Sequence, residues 1–143
     1  MSHSSHHKHS YYLIRNAELL GFTELELELI ANIARYHRRS RPKKKHDAYN
    51  KLPSKHYQLI VRQLSAMLRL AVALDRRNKG AIAAVNCKYD SSDRTLSFQI
   101  IPKEIGDDCS LELWNLSYKK EVFESEFDVE LIASIAEKSA LVS

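Results

Sequence analysis

The stretch from Ser54 to Ile101 reads SKHYQLIVRQLSAMLRLAVALDRRNKGAIAAVNCKYDSSDRTLSFQII, and two periodicities meet inside it. In its first half Tyr57, Ile60, Val61, Leu64, Met67, Leu68, Ala71 and Leu74 recur at helical steps. That spacing predicts one long amphipathic helix from Ser54 to about Asn78, stopped by Gly80. Arg62, Arg69, Arg76 and Arg77 fall off the apolar stripe or at its edge. After Gly80 the texture changes. Ile82 to Tyr89 and Thr95 to Ile101 are rich in β-forming residues, and Asp90-Ser91-Ser92-Asp93 between them is a turn cluster, so the pair reads as a hairpin. A long helix followed at once by a hairpin makes the class α+β.

Working upstream, Tyr11 to Leu20 is helix-tolerant and ends at Gly21, the usual left-handed stop. Thr23-Glu24-Leu25-Glu26 has capping-box spacing and restarts a helix. Leu25, Leu29, Ile30, Ile33 and Tyr36 or His37 share one face of it, and Leu27 lies off that face, which points to burial of the helix on two sides. The helix should end near Ser40, because Pro42 disfavours helical geometry before it. The rest of the basic run to Asp47 reads as a solvated loop. Working downstream, Pro102 to Asp107 is a loop and Ser110 to about Phe123 is helical, with Asp108 or Ser110 as its cap. Leu111, Trp114, Tyr118 and Val122 form its apolar face, which assigns Trp114 and Tyr118 to the core. Asp128 to Ile135 alternates as a third strand, and Lys138 to Ser143 is a frayed tail or a short turn. The expected organisation is a helical unit over residues 1–79 followed by a small β-β-α-β unit over 80–143. Each is too small to be comfortable alone, so the two are expected to pack on each other.

Composition narrows the function classes. The chain has 143 residues with only three Gly and three Pro, which excludes a glycine-rich phosphate loop. No apolar run approaches the roughly 20 residues that span a bilayer, so no membrane role is expected. The polar, His-rich start has no apolar leader, and two cysteines cannot make a disulfide framework. A cytoplasmic location with reduced thiols is the expectation. The net charge of +4 hides an asymmetry: residues 1–88 carry 17 Lys+Arg against 6 Asp+Glu, and residues 89–143 carry 5 against 12. The basic part suits an anionic partner.

Two groups of residues carry candidate chemistry. Arg35, Arg38, Arg39, Arg41, Lys43, Lys44 and Lys45 form a cationic cluster, with Lys51 and Lys55 nearby. So many cations on one surface give strong, salt-sensitive binding to a polyanion. Arg suits phosphate bidentately and Lys as a point charge. Interleaved aromatics are few there, so nucleic acid is a poor partner. The second group is dispersed: histidines 3, 6, 7 and 9 before the first helix, His37 near the end of the second and Asp75 near the end of the third. Imidazole and carboxylate are ligand types for divalent metals that activate water.

The strings HHKHSYYLIRN (residues 6–16), LLGF (19–22), IARYHR (33–38) and LRLAVALDR (68–76) resemble the C-terminal region of the exopolyphosphatase / guanosine pentaphosphate phosphatase (Ppx/GppA) family. The resemblance covers nearly the whole chain. It implies a helical region related to HD phosphohydrolases followed by a small α+β region. By the HD ligand order, His7 (or neighbouring His6 or His9), His37 and Asp75 are the late ligands of a site that takes Mg or Mn if it is retained. The His-Asp pair that should precede them is absent, and His46-Asp47 stands in the wrong order, a coincidence. The family's hydrolytic activity resides in an N-terminal actin-like module, whose phosphate loops and carboxylates are not found here. The chain therefore reads as a C-terminal fragment or a truncated relative. The function expected is an accessory domain that binds polyphosphate or related anions and supports dimerisation. Its partners are that polyanion and a second copy or an upstream actin-like module. No cofactor and no catalysis by the chain alone are expected. The alternative is an HD-type metal-dependent phosphohydrolase acting on nucleotides or phosphoesters.

Overall fold

The computed structural model of the chain describes residues 6–38 and 41–136, with side chains from residue 9 onward. Two compact units divide the chain, Met1–Leu68 and Arg69–Ser143.

The first unit opens with α1 (His6–Asn16). This helix starts earlier than the periodicity predicts and stops well before Gly21. Asn16 Nδ2 donates to the Tyr12 carbonyl at 2.8 Å, and the Ala17 amide turns back to Ile14 at 3.3 Å. Those bonds occupy carbonyls of the last turn and end the helix. α2 (Glu24–Tyr36) begins with the expected capping box: the Glu26 amide donates to Thr23 Oγ1 at 3.1 Å and the Thr23 amide to Glu26 Oε1 at 2.8 Å. It ends at Tyr36 with His37 as its C-cap, ahead of the Ser40 expected. Its buried line is Leu27, Ala31, Asn32 and Tyr36, so Leu27 belongs to the core after all. Tyr11 donates to Glu28 at 2.5 Å, and Arg15 reaches Glu28 at 2.8 Å and Glu24 at 3.1 Å, fastening α1 to α2.

The basic run leads into a four-residue helix, α3 (Asp47–Asn50), which is too short for periodicity to reveal. Then comes α4 (Lys55–Leu74), whose first amides meet Ser54. Tyr36, Tyr49, Leu52 and Val61 make the core of this unit, with Leu29, Ile33 and Tyr57 packed against it. Along α4 the buried residues are Val61, Ser65, Ala66, Arg69, Leu70 and Ala73. Leu64 and Met67, expected inside, are 44% and 49% exposed, and Arg69, expected off the stripe, is buried. At 3.6 residues per turn the buried line lies nearly opposite the stripe expected.

The division between the units falls inside α4. In the second unit β1 (Ile82–Asp90) and β2 (Thr95–Pro102) form the expected hairpin, with Asn86 opposite Gln99 and Cys87 opposite Phe98. α5 (Ser110–Phe127) then crosses over to β3 (Glu130–Ile135), which pairs parallel with β2, giving the order β1-β2-β3. A parallel pair needs such a crossover. The α+β class and the β-β-α-β order are as expected. α5 starts on Cys109 in left-handed geometry (φ 46°) without a side-chain cap of its own. Asp107 and Asp108 accept the amides of Cys109 and Ser110 at 2.9 and 3.0 Å instead.

The face α5 buries differs from the one expected. Glu112, Leu116 and Phe123 are inside, whereas Trp114 and Tyr118 are 60% and 67% exposed. The helix is apolar on more than one side, so periodicity could not choose. Lys120 donates to the Leu131 carbonyl and the Leu131 amide to Glu124, each at 2.9 Å, and these bonds set the rotation of α5 against β3. Cys87 is exposed, Cys109 is buried, and both are free. Among the described residues no helix is long and apolar enough to cross a membrane.

Arg77 ties the turn after α4 to the start of α5. Its Nε donates to Glu112 at 2.5 Å and its Nη2 to Asp107 at 2.8 Å. Both carboxylates raise the affinity of this guanidinium for its proton. The Cys109 amide, and then Arg77, hold the Asp107 carboxyl below its ordinary value of 3.8. Glu112 is fully buried, so removing Arg77 strands a desolvated carboxylate. Arg77→Met is therefore expected to lower the urea midpoint far more than Lys119→Met, a substitution at an exposed position of α5. A depressed carboxyl stabilises above its unfolded value and loses that contribution as pH falls through its folded one. Asp107→Asn is thus expected to flatten the decline of melting temperature below about pH 4, and an unchanged acid limb would remove Asp107 from that role.

Candidate functional site

An open cleft of about 1030 Å³ lies in the first unit, lined by α1, the first turns of α2, Arg35, and the segment from Lys45 to Pro53. Its two ends differ in charge. At one end Glu24 and Glu28 are drawn in by Arg15, and Glu28 also accepts from Tyr11 and Asn32. Arg15 offsets one of those two negative charges within the protein. Burial, and then the bond to Glu28, push the Tyr11 hydroxyl up to about 12, so it stays a neutral donor.

At the other end stand Arg35, Lys45 and Lys51, with the Asp47 carboxylate among them. Arg35 lies with its guanidinium carbon 5.2 Å from the Tyr36 ring centroid. Its Nε is buried and has no hydrogen-bond partner among the described residues. No ion pair holds Arg35, Lys45 or Lys51 among the described residues either. A desolvated donor beside two lysines is a place where an anion gains hydrogen bonds as well as Coulomb attraction.

Tyr36 and His46 shape this end. Tyr36 is fully buried, and its hydroxyl meets His46 Nδ1 at 2.7 Å. The rings stack with centroids 5.5 Å apart, and Tyr49 meets Tyr36 edge-on at 6.1 Å. The Lys43 amide also donates to His46 Nδ1 at 3.3 Å, while the His46 amide donates to the Lys43 carbonyl at 2.9 Å. An amide can only donate, so Nδ1 carries a lone pair and the neutral ring has its proton on Nε2. Burial pushes the Tyr36 hydroxyl up to about 12. The turn from Lys43 to His46 is thereby pinned to the core, and Lys45 is carried to the cleft.

The cationic run is not one continuous surface. Arg35 and Lys45 line the cleft, joined by Lys51; Arg38, Arg41, Lys43 and Lys44 are exposed and do not line it, and Arg39 lies outside the described residues. His46, read from sequence as part of a coincidental His-Asp pair, lines the cleft too. Its signal in the sequence was only the short polar step into α3.

The dispersed residues fare differently. His7 is in the first turn of α1, with its side chain outside the description. His37 Nδ1 bonds to the Ala34 carbonyl, so a proton sits on that nitrogen. Asp75 is exposed in the turn after α4 and belongs to the other compact unit. Among the described residues no three His, Cys, Asp or Glu side chains come together as a metal would need.

A protein-family model described as Ppx/GppA phosphatase, domain III, matches residues 1–120. No curated protein gives a significant match.

Tyr36→Phe deletes the hydroxyl that the buried ring presents to His46. The cost expected is about 1 kcal/mol, the ordinary value of one such bond. Limited trypsin digestion should then cut faster at Lys43 to Lys45, because the turn loses its anchor. Digestion at the wild-type rate would show that the bond does not hold the turn.

Proposed function

The chain belongs to the Ppx/GppA phosphatase family, matching its domain III over residues 1–120, and from that membership we propose that it is an accessory domain binding polyphosphate or related anionic phosphates. In this reading its helical part is HD-like, it supports dimerisation, and it performs no hydrolysis unaided. The observation that carries the reading is the buried, unpartnered Nε of Arg35 beside Lys45 and Lys51 at one end of the cleft.

The physical argument is one of charge and desolvation. A chain of phosphates presents a negative charge at every step, and each cation it meets releases condensed counterions. Arg35 offers a fixed donor, partly stripped of water, that a phosphate oxygen can satisfy. Lys45 and Lys51 add compact charges on flexible stems. The lysines and arginines outside the cleft, Arg41, Lys43 and Lys44, extend the positive field along the same loop and attract the polymer before it seats. At the opposite end Arg15 offsets one of the two carboxylate charges of Glu24 and Glu28.

Binding of inorganic polyphosphate to the full chain, followed by fluorescence anisotropy over a salt series, tests this. Binding is expected to weaken steeply with salt. For the triple variant Arg35→Ala, Lys45→Ala and Lys51→Ala, the log–log slope is expected to fall by about 0.7 for each cation lost, the single-strand value. Binding unchanged in the triple variant, or none in low salt, would refute the proposal. Sedimentation velocity reads the dimerisation part: a monomer across the concentration series removes it.

A further inference from the structure

We infer that His46 is the proton-linked residue of the cleft: its imidazole takes up a proton as a polyanion binds, so that affinity rises as pH falls. The inference rests on the reading of the cleft as a polyanion site and adds to it a regulated member and a direction.

The placement comes first. His46 lines the cleft beside Arg35, Lys45 and Lys51. It is the one lining residue, among those described, of a type whose charge changes between pH 5 and 8. The other lining groups are tyrosines, carboxylates, lysines, an arginine and apolar residues.

The hydrogen bonds come next. In the structure Nδ1 is an acceptor, because the Lys43 amide donates to it at 3.3 Å. The ring is therefore neutral and the Tyr36 hydroxyl, 2.7 Å away, donates as well. A second proton reverses one of these bonds. Nδ1 then donates to the Tyr36 oxygen, which is able to accept because a hydroxyl does both. The Tyr36 bond survives in the opposite sense and becomes charge-assisted. The Lys43 amide loses its acceptor. The geometry thus tolerates both ring forms and favours the neutral one by one amide bond.

Charged groups surround the ring. From α2, Arg35 lies over the Tyr36 ring that His46 stacks on. From the turn come Lys43 and Lys45, and from the residues just after α3 comes Lys51. From α4, Arg62 donates to the Tyr49 hydroxyl at 2.9 Å, behind Tyr36. Against them stand Asp47, exposed and next in sequence, and Glu24 and Glu28, which line the same cleft. Cations outnumber these carboxylates, so an imidazolium is opposed until an anion enters. A bound polyanion cancels that opposition, and by reciprocity the proton raises affinity for the polyanion by the same factor. The histidine's titration point is higher in the complex than in the free chain. The extra affinity is therefore complete below the free value and gone once pH rises through the bound one. One proton limits the effect to roughly tenfold per pH unit.

The probe is fluorescent dextran sulfate, whose sulfate esters keep their charge from pH 5.5 to 8. Affinity is measured for the full chain at constant ionic strength, with wild type and His46→Gln. The wild type is expected to bind several-fold tighter at pH 5.5 than at pH 8. His46→Gln is expected to lose the pH dependence: its ratio of affinities between pH 5.5 and pH 8 falls towards one, whatever its affinity at pH 8. A pH dependence retained in His46→Gln overturns this inference alone. Failure of the wild type to bind at any pH overturns the cleft reading as well. Should His46→Gln fold poorly, an NMR titration of the wild-type His46 ring decides: the midpoint moves up with dextran sulfate present, and an unmoved midpoint refutes the linkage.

Discussion

A buried tyrosine hydroxyl and the histidine that meets it organise the helical unit. Tyr36 is fully buried at the end of α2, and an unpartnered hydroxyl there would cost about 1–3 kcal/mol. The bond to His46 removes that cost, and it does so only if the chain between them folds back on itself. The sequence of consequences is mechanical. His46 is brought onto the Tyr36 ring, the Lys43 to His46 turn closes, and α3 starts from His46 as its N-cap. Tyr49, on α3, then reaches Tyr36 edge-on and joins Leu52 and Val61 in the core. A segment that composition alone assigns to solvent is thus held by two aromatic contacts and a hydrogen bond.

The same constraint separates charges that the sequence runs together. Seven cations run from Arg35 to Lys45, yet among the described residues only the two at the ends of that run line the cleft. Arg35 is on α2, whose rotation is set by Leu27, Ala31 and Tyr36 facing inward. Lys45 is on the pinned turn. At the cleft's acidic end Arg15 and Tyr11 of α1 engage Glu24 and Glu28 in joining α1 to α2. The polarity of the cleft is therefore a by-product of how the helices are fastened together.

In the second unit the corresponding constraint is Glu112. A buried carboxylate needs a cation, and Arg77 supplies it while also gripping Asp107. With Glu112 turned inward, Leu116 and Phe123 follow it at helical spacing, and Trp114 and Tyr118 are left facing out. Apolar bulk alone would have chosen the opposite face. One ion pair outweighs it because a stranded buried charge costs more than leaving two amphipathic aromatic rings partly wet.

What the sequence by itself determined were features whose causes are local. The Thr23 capping box, the long helix before Gly80, the hairpin turn at Asp90 to Asp93 and the β-β-α-β order each depend on residues within a few positions of one another. The family resemblance, carried by contiguous strings, was legible for the same reason. Tertiary structure decided which face of α4 and α5 turned inward, that His46 is a partner of Tyr36 rather than a stray His-Asp pair, and which cations meet in the cleft. Those outcomes rest on contacts between residues far apart in the chain, such as Tyr36 with His46 and Arg77 with Glu112. A periodicity of 3.6 says that a helix has a face, but only the groups packed against it say which one is buried.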